Sequence, residues 1–516
     1  MRKLAVKSIA VLLALTTSAA CLAGCGKKKS AFVEDDKEIS IAIIDPNVPA
    51  SEGTAESNRY TKYIEKETGY KIKWYIFPSS DYNTKLNAML AAGEAPDMFY
   101  NFSMKYVSGL VNDGLVMPLD DLIDEYSTDY KNYIKKHKNL ENWTRFSDGK
   151  TYAFTSARSV AEQANTGVWI RKDWLDKLDL EMPKTAEDLY NVAKAFKTLG
   201  SDILPIAYSH WIWPQIYQAY TQYYVKDDGS GIEFGPTSDR YADALDMMKR
   251  CYKAGLLDPE FFVDNNASRQ IEMWNNGKVG ILFKQWYETD VSTLLKNDPD
   301  ANPVPLECFS TQYGNGGYFQ ECPPFRFIML NADAKNPVGC MKLLDWMIGG
   351  GWERFKFGEE GVHYKLDGEI PVTIVDSDTV QEQVTYAKQY LMLQDYKFEP
   401  SWIMKMASSD DFSQRLASLR KDSLTAIMKH PYRRDLPYDP PLSSIQRAIT
   451  EYETERDKIM LKVTTGADKY DGKWGLAESR AEWERVGGKD ADKEANEWYK
   501  KNKDKLPKEG LSISAK

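Results

Sequence analysis

From Glu38 the apolar positions alternate strictly, Ile39, Ile41 and Ile43, and stop at Asp45-Pro46-Asn47, the pattern of a strand ending in a polar loop. Residues 58–68 change to helical spacing, with Tyr60, Tyr63, Ile64 and Glu67 along the turn and Gly69 as C-cap, and Tyr70, Ile72, Trp74 and Ile76 alternate again. Next comes the stretch around which the chain is organised. Asp81 stands at a helix N-cap, Leu86, Met89 and Leu90 recur at i, i+3 and i+4, and Gly93 sits where a left-handed C-cap belongs. Pro96 forbids continuation, and Asp97 to Tyr100 reads as a brief strand ending on Asn101. The order βαβαβ implies parallel pairing, right-handed crossovers and a sheet covered on both faces. Asn101 is then at the strand end where open α/β sheets take ligands. The same residues equally fit a helix, a turn and a core strand with no ligand beside them.

Farther on, Gly149–Phe154, Gly167–Ile170, Ile203–Tyr208, Lys278–Phe283 and Phe325–Leu330 have strand character. Thr185 and Asp188 have capping-box spacing, Ser238 to Tyr252 and Pro337 to Met347 are helical, and Asp227–Gly231 is a turn cluster. Gln381–Gln394, Asp410–Met428, Leu442–Thr465 and Ala477–Lys503 all read as helix. Strands thin out in the last quarter, so these helices are expected to wrap an α/β body.

The N-terminus bears on compartment. Arg2, Lys3 and Lys7 precede an apolar run, Ile9 to Ala20, of signal-peptide length and too short to span a bilayer comfortably. Leu22-Ala23-Gly24-Cys25 resembles the lipobox of bacterial lipoproteins, which implies cleavage before Cys25 and a lipid anchor on its sulfur. An ordinary secretory signal with a chance cysteine is the alternative. Residues 1–24 are thus a leader and 25–37 a charged tether, leaving about 490 residues, enough for two or three domain-sized cores. The formal net charge is −9, and loss of Arg2, Lys3 and Lys7 makes the body still more acidic, which argues against nucleic acid. Cys251, Cys308, Cys322 and Cys340 remain; their spacings make no zinc site, and buried thiols and disulfides both fit.

Enzyme motifs fail on named residues. Gly149-Lys150-Thr151 imitates the end of a P-loop, but Thr144 stands where its first glycine belongs. Gly314-Asn315-Gly316-Gly317 lacks dinucleotide spacing, and Tyr106 replaces the glycine of a nucleophile elbow before Ser108-Gly109. The four histidines, His137, His210, His363 and His430, have no second ligand at metal spacing. Asp298, Asp300 and Asn302 match three positions of a calcium loop, yet Pro303 replaces its glycine and Phe309 its glutamate. No catalytic residue, metal site or cofactor is assigned. Acidic pairs such as Asp120-Asp121 would serve a glycosidase only if folding set two carboxylates across a cleft. With 14 Trp and 31 Tyr the chain carries much stacking surface. Trp211 and Trp213 follow one strand, Trp286 follows another, and Tyr318 lies in a Gly-rich loop. Any one of them fits core packing; as a set at strand ends they fit a carbohydrate cleft.

Several blocks resemble the extracellular solute-binding lipoproteins of family 1, the maltose-binding type that serves ABC importers. They are Lys85–Met98 with its Pro96-Asp97, Trp169–Leu175 with the following Pro183-Lys184-Thr185, and Trp274–Gly280; Gly358–Lys365 is similar to the larger, oligosaccharide-binding subgroup. The resemblance implies an α/β, two-lobe, periplasmic-binding-protein-like fold of type II with a hinge, a ligand cleft and a helix-rich C-terminal part. It implies lobe 1 from 38–157 with 325–400 and lobe 2 from 158–324 with 401–516. It implies no catalysis: a monomer, anchored to the membrane at Cys25, captures an oligosaccharide and delivers it to the permease subunits. Asp45, Asn101, Trp211, Trp213, Trp286 and Tyr318 would face the ligand, while Arg171 and Asp173 look structural. The long C-terminal helices depart from better-known sugar binders, so ligand length and docking surface stay open. A membrane-anchored glycoside hydrolase is the competing reading, and peptide capture a third.

Overall fold

The computed structural model describes residues 32, 37–146, 148–164, 166–207, 212–262, 268–287, 289–318, 321, 323–429 and 443–505. The leader, Cys25, Trp211 and Cys322 lie outside the described residues. Among the described residues the strands are β1 (Glu38–Ile44), β2 (Lys71–Phe77), β3 (Met98–Asn101), β4 (Thr166–Arg171), β5 (Leu204–Ala207) and β6 (Tyr223–Val225). They continue with β7 (Ile232–Phe234), β8 (Val279–Gln285), β9 (Pro303–Leu306), β10 (Phe327–Leu330), β11 (Tyr364–Asp367) and β12 (Ile370–Thr373). Two four-stranded sheets form the cores of two lobes, and two short hairpins, β6–β7 and β11–β12, are added to them.

The first sheet has the order β10-β3-β1-β2, with β1 parallel to β2 and β3 and β10 antiparallel to β3. The helices α1 (Arg59–Thr68) and α2 (Tyr82–Ala92) are the crossovers. Asn58 caps α1 through a full capping box, and Gly69 and Gly93 end the two helices with φ near 70°, a backbone region in which glycine carries no Cβ penalty. Asp81 stands at the N-cap of α2, but its side chain does not accept from the first turn; it turns to Ser80 Oγ and Lys85 instead. The alternation of β1 divides the burial: Ile39, Ile41 and Ile43 pack with Tyr60, Ile64, Met98, Ile328 and Leu344, while Ala42 faces Leu86, Leu90, Phe99, Val107 and Met329. Both faces are therefore covered, as the βαβαβ order requires.

The buried Asp97 carboxylate knits this lobe. It accepts from Ser40 N at 2.8 Å and Ser40 Oγ at 2.6 Å, and from the amides of Lys335 and Asn336, the residues that open the helix Pro337–Trp346. Asn331 N donates to Asp97 O, so β1, β3 and the turn after β10 meet at one residue.

The second sheet, order β5-β8-β4-β9, places β4 antiparallel to both neighbours. Its core spans Val168, Leu175, Leu189, Phe196, Tyr241, Leu245, Ile281 and Phe283, and takes in Ile403, Leu424 and Met460 from the late helices. A further core joins β6 and β7 to Ile445, Tyr452, Trp483 and Tyr499, so the C-terminal helices wrap the second lobe. The predicted capping box is present, Thr185 with Asp188. Arg171 and Asp173 form a bidentate pair that also approaches Asp298 and stacks on Trp174, which ties two of the sequence blocks together. Among the described residues no cluster of three metal-ligating side chains occurs, and no helix is long and apolar enough to cross a membrane. Cys251, Cys308 and Cys340 are buried thiols, and burial pushes the first two up to about 12.

Three expectations are corrected. Gly149–Phe154 forms only single bridges, Arg145 with Thr151 and Phe154 with Ile328, because its backbone groups pair in turn with Leu119, Thr144 and the Asp120 carboxylate rather than with one neighbouring strand. Helix ends at Gln383 rather than Gln394: a 3-10 turn follows, and Tyr390 to Gln394 are buried on every side, which suits an extended passage through a core, not an amphipathic helix. The last predicted helix breaks at Gly487, whose φ of 89° separates Gly472–Arg485 from Gly488–Asn502. β9 escaped the pattern because Pro303 and Pro305 count against a strand; it pairs with β4 alone, and an edge tolerates proline.

Segments 154–158 and 323–328 run antiparallel between the sheets, joined by Arg158 N to Pro323 O and Phe325 N to Ser156 O, both 2.7 Å, and Gln394 N reaches Ser156 Oγ at 3.1 Å. Three passages thus connect the lobes side by side, the arrangement of a hinge.

Leu86 is fully buried, and Leu86→Ala is expected to lower the unfolding free energy in urea by about 2 to 5 kcal/mol, the usual cost of a core truncation. Asp97→Asn, which puts an NH2 group where backbone amides donate, is expected to cost on the order of 3 kcal/mol by the same measurement.

Candidate ligand cleft

The strand ends of the two sheets supply the candidate site. At the carboxyl end of β1, Asp45 donates its amide to Phe77 O and accepts from Asn47 N at 2.8 Å, closing an Asx turn around Asn47 at φ 53°. At the end of β3, Asn101 is 8 % exposed; its Nδ2 donates to Asn83 Oδ1 at 2.9 Å and its Oδ1 accepts from Ser103 N. Asn101 therefore ties the strand end to the first turn of α2, and the next residue, Phe102, stands 46 % exposed. Below them Tyr82 and Tyr100 stack at 5.5 Å, and the Tyr82 hydroxyl bonds the backbone of β3 at Tyr100.

In the second lobe Trp286 follows β8 and is 8 % exposed, its Nε1 donating to Ala161 O at 2.8 Å, while its neighbour Tyr287 is 44 % exposed. Both line a cavity of about 540 Å³ with Phe398, Ile403, Met406 and Arg420. A second cavity, of about 260 Å³, lies at the same sheet end among Thr166, Ile212, Gln215, Tyr220 and Gln285. Among the described residues Gln215 Oε1 and Gln285 Oε1 are buried there without a hydrogen-bond partner, a costly state for an amide oxygen. Trp213 is fully buried against Phe309, and Tyr318 is buried with its hydroxyl on Leu306 O, so neither ring offers an open face in this conformation. The structure brings Asn101 beside Phe102 and Trp286 beside Tyr287; it does not bring Trp213 or Tyr318 to the surface of the cleft.

Between the lobes lies a group of charges that the sequence pattern did not reveal. Lys356 Nζ contacts Glu162 Oε1 at 2.6 Å, and Gln394 and Ser159 also donate to this carboxylate. Burial opposes ionisation of Glu162, but Lys356 and these donors outweigh it and hold the group near 2. A carboxylate so low stays ionised and cannot serve as the general acid of a glycosidase. Arg158 pairs with Glu321 at 3.1 Å. Arg326, one residue before β10, is 4 % exposed and lies over Tyr100 at 4.5 Å and Phe102 at 5.4 Å. Its Nη2 donates to Lys388 O. Outside this group, Lys105 of α3 (Met104–Asn112) meets Glu453 of the helix Ser443–Thr465 at 2.6 Å, and Lys296 meets Asp378 at 2.7 Å.

The profile of the bacterial extracellular solute-binding protein family matches residues 50–351, more than half of the chain. The chain belongs to this family. Two similar relatives are the fructooligosaccharide ABC transporter substrate-binding protein FusA of Streptococcus pneumoniae, 27 % identical over 56 % of this chain and 59 % of that protein, and the polygalacturonan/rhamnogalacturonan-binding protein YtcQ of Bacillus subtilis, 31 % identical over 44 % and 46 %. These matches span about half to six-tenths of the relatives' own length. In three dimensions the chain superposes on FusA in complex with kestose with a TM-score of 0.70 at 19 % identity, covering 91 % of this chain and all of the other. The alginate-binding protein AlgQ2 gives 0.70 at 19 %, covering 92 % of this chain and all of the other. These likenesses establish the two-lobe type II fold of this family member.

The Glu162 network predicts an acid-dependent loss. Its stabilisation is complete above the ordinary carboxylate value near 4.5 and disappears as pH falls toward 2. The difference in unfolding free energy between the native protein and Glu162→Gln is expected to be on the order of 3 kcal/mol at pH 7 and to shrink steadily below pH 4.5 in urea titrations.

Proposed function

We propose that this protein is the substrate-binding lipoprotein of a carbohydrate ABC importer, capturing an oligosaccharide between its lobes and delivering it to the permease. The observation that carries this is the pairing, at the strand ends of both sheets, of an exposed aromatic ring with amide groups: Phe102 beside Asn101, and Tyr287 near the partnerless Gln285 oxygen. Sugars present apolar C–H faces and hydroxyl rims, so rings and amides together are the surface that recognises them. The named ligands of FusA, YtcQ and AlgQ2 are all saccharides, which supports the same reading.

Lobe 1 comprises 38–157 with 325–400 and lobe 2 comprises 158–324 with 401–516. Asp45, Asn101, Trp211, Trp213, Trp286 and Tyr318 belong to the site in two ways. Asn101 and Asp45 shape loops at the cleft edge, the buried Trp213, Trp286 and Tyr318 support the rings that meet sugar, and Trp211 is assigned by its place in the sequence alone. Phe102 and Tyr287 are the contact plates. The protein acts as a monomer held outside the membrane by lipid on Cys25, with no catalytic step. The relative named lipoprotein LipO of Bacillus subtilis, 27 % identical over 59 % of this chain and 62 % of its own length, supports the anchor.

Ligand binding only to the folded state adds RT ln(1 + [L]/Kd), about 2.7 kcal/mol at a hundredfold excess over Kd. A thermal-shift screen of plant-wall, host and algal oligosaccharides is expected to raise the melting temperature with at least one of them; no shift across the panel sinks the proposal. With the sugar so found, Phe102→Ala and Tyr287→Ala are each expected to weaken affinity about tenfold, roughly 1.4 kcal/mol, in calorimetric titration.

A further inference from the structure

Among the described residues two cations, Arg326 and Lys388, form no ion pair with a carboxylate. Arg326 is buried, and among the described residues its Nε and Nη1 make no hydrogen bond. The rings of Tyr100, Phe102 and Phe325 compensate part of that charge, but they accept no hydrogen bond in the guanidinium plane. Lys388 keeps solvent-exposed surface, and among the described residues its ammonium makes no hydrogen bond or ion pair. Burial lowers Lys388 to about 8, and Lys356 and Arg420 reinforce that shift by repulsion. The neighbouring acids are already engaged, Glu162 by Lys356 and Glu321 by Arg158. A chain with a net charge of −9 therefore carries an under-neutralised positive centre between its lobes.

An enclosed cation without a counter-charge costs free energy, and a ligand that supplies the charge recovers it. The position suits a sugar acid. Phe327 pairs with Asn101 in the β10–β3 register, which sets Arg326 across from the exposed Phe102. A pyranose resting on the Phe102 ring turns its edge toward the guanidinium, where a carboxylate on C5 finds planar donors of matching geometry. We infer that the oligosaccharide taken by this cleft contains uronic acid, with a carboxylate seated on Arg326, beside the segment whose Lys388 carbonyl Arg326 Nη2 bonds. This rests on the reading of the cleft as an oligosaccharide site.

The test is calorimetric titration of the mature protein with short oligomers of galacturonate, guluronate, mannuronate and a glucuronate-containing saccharide. Each is paired with a neutral oligomer of the same length, and trigalacturonate also with its methyl ester. An acidic oligomer is expected to bind at least about tenfold more tightly than its neutral partner, with the gap narrowing as salt rises. Arg326→Gln is expected to remove most of that preference while the neutral partner still binds, and Lys388→Gln to remove the rest. Binding of neutral oligomers without any acidic preference overturns the uronate assignment and leaves the sugar-binding function standing. An acidic preference untouched by both substitutions overturns the assignment to these residues. No binding of either kind overturns the function itself, and the uronate inference with it.

Discussion

The Asp97 carboxylate is the constraint on which the first lobe depends. It holds the start of β1 through Ser40 and the start of the helix Pro337–Trp346 through Lys335 and Asn336, while its own backbone opens β3. A side chain with two oxygens thereby fixes which strands neighbour β3, and that choice decides what meets at the opposite end of the sheet. Because β10 comes back antiparallel beside β3, Arg326 arrives next to Phe102, and the hinge passage at 388 closes over it. The chemistry of the cleft is thus set by hydrogen bonds at the far end of the same strands.

Much of the first lobe was legible because its local signals agree. In residues 38–101 the isoleucine alternation, the capping residues and the helix-ending glycines all point one way, and β1, α1, β2, α2 and β3 follow within a residue or two. Where signals conflicted, tertiary context decided. Prolines hid β9 at a sheet edge, and a run of large apolar residues after Gln383 looked helical because composition does not distinguish a one-sided face from burial on all sides. Asp81 shows the same limit on a small scale, since position alone did not fix where its carboxylate turned.

The site was legible by region and less so by residue. The strand ends carry exposed aromatic residues, but sequence does not say which ring of a neighbouring pair faces out. Trp286 packs inward on Ala161 and leaves Tyr287 exposed; Asn101 turns back to α2 and leaves Phe102 exposed. Trp213 and Tyr318 went to the core, where the second lobe needed volume. Arg326 and Lys388 gave no local signal, because they are close only through the β3–β10 pairing and the hinge, 62 residues apart in the chain.

Membership of the solute-binding family, a two-lobe fold, exposed rings at both sheet ends and the unpaired Arg326 are the observations on which the proposed sugar site rests. The most direct measurement is the crystal structure of the protein with a saturating oligosaccharide. The account predicts pyranose rings lying between Phe102 and Tyr287, with polar groups on the Gln285 side. Sugar bound on an outer face of either lobe, with Phe102 and Tyr287 both left open to solvent, contradicts it.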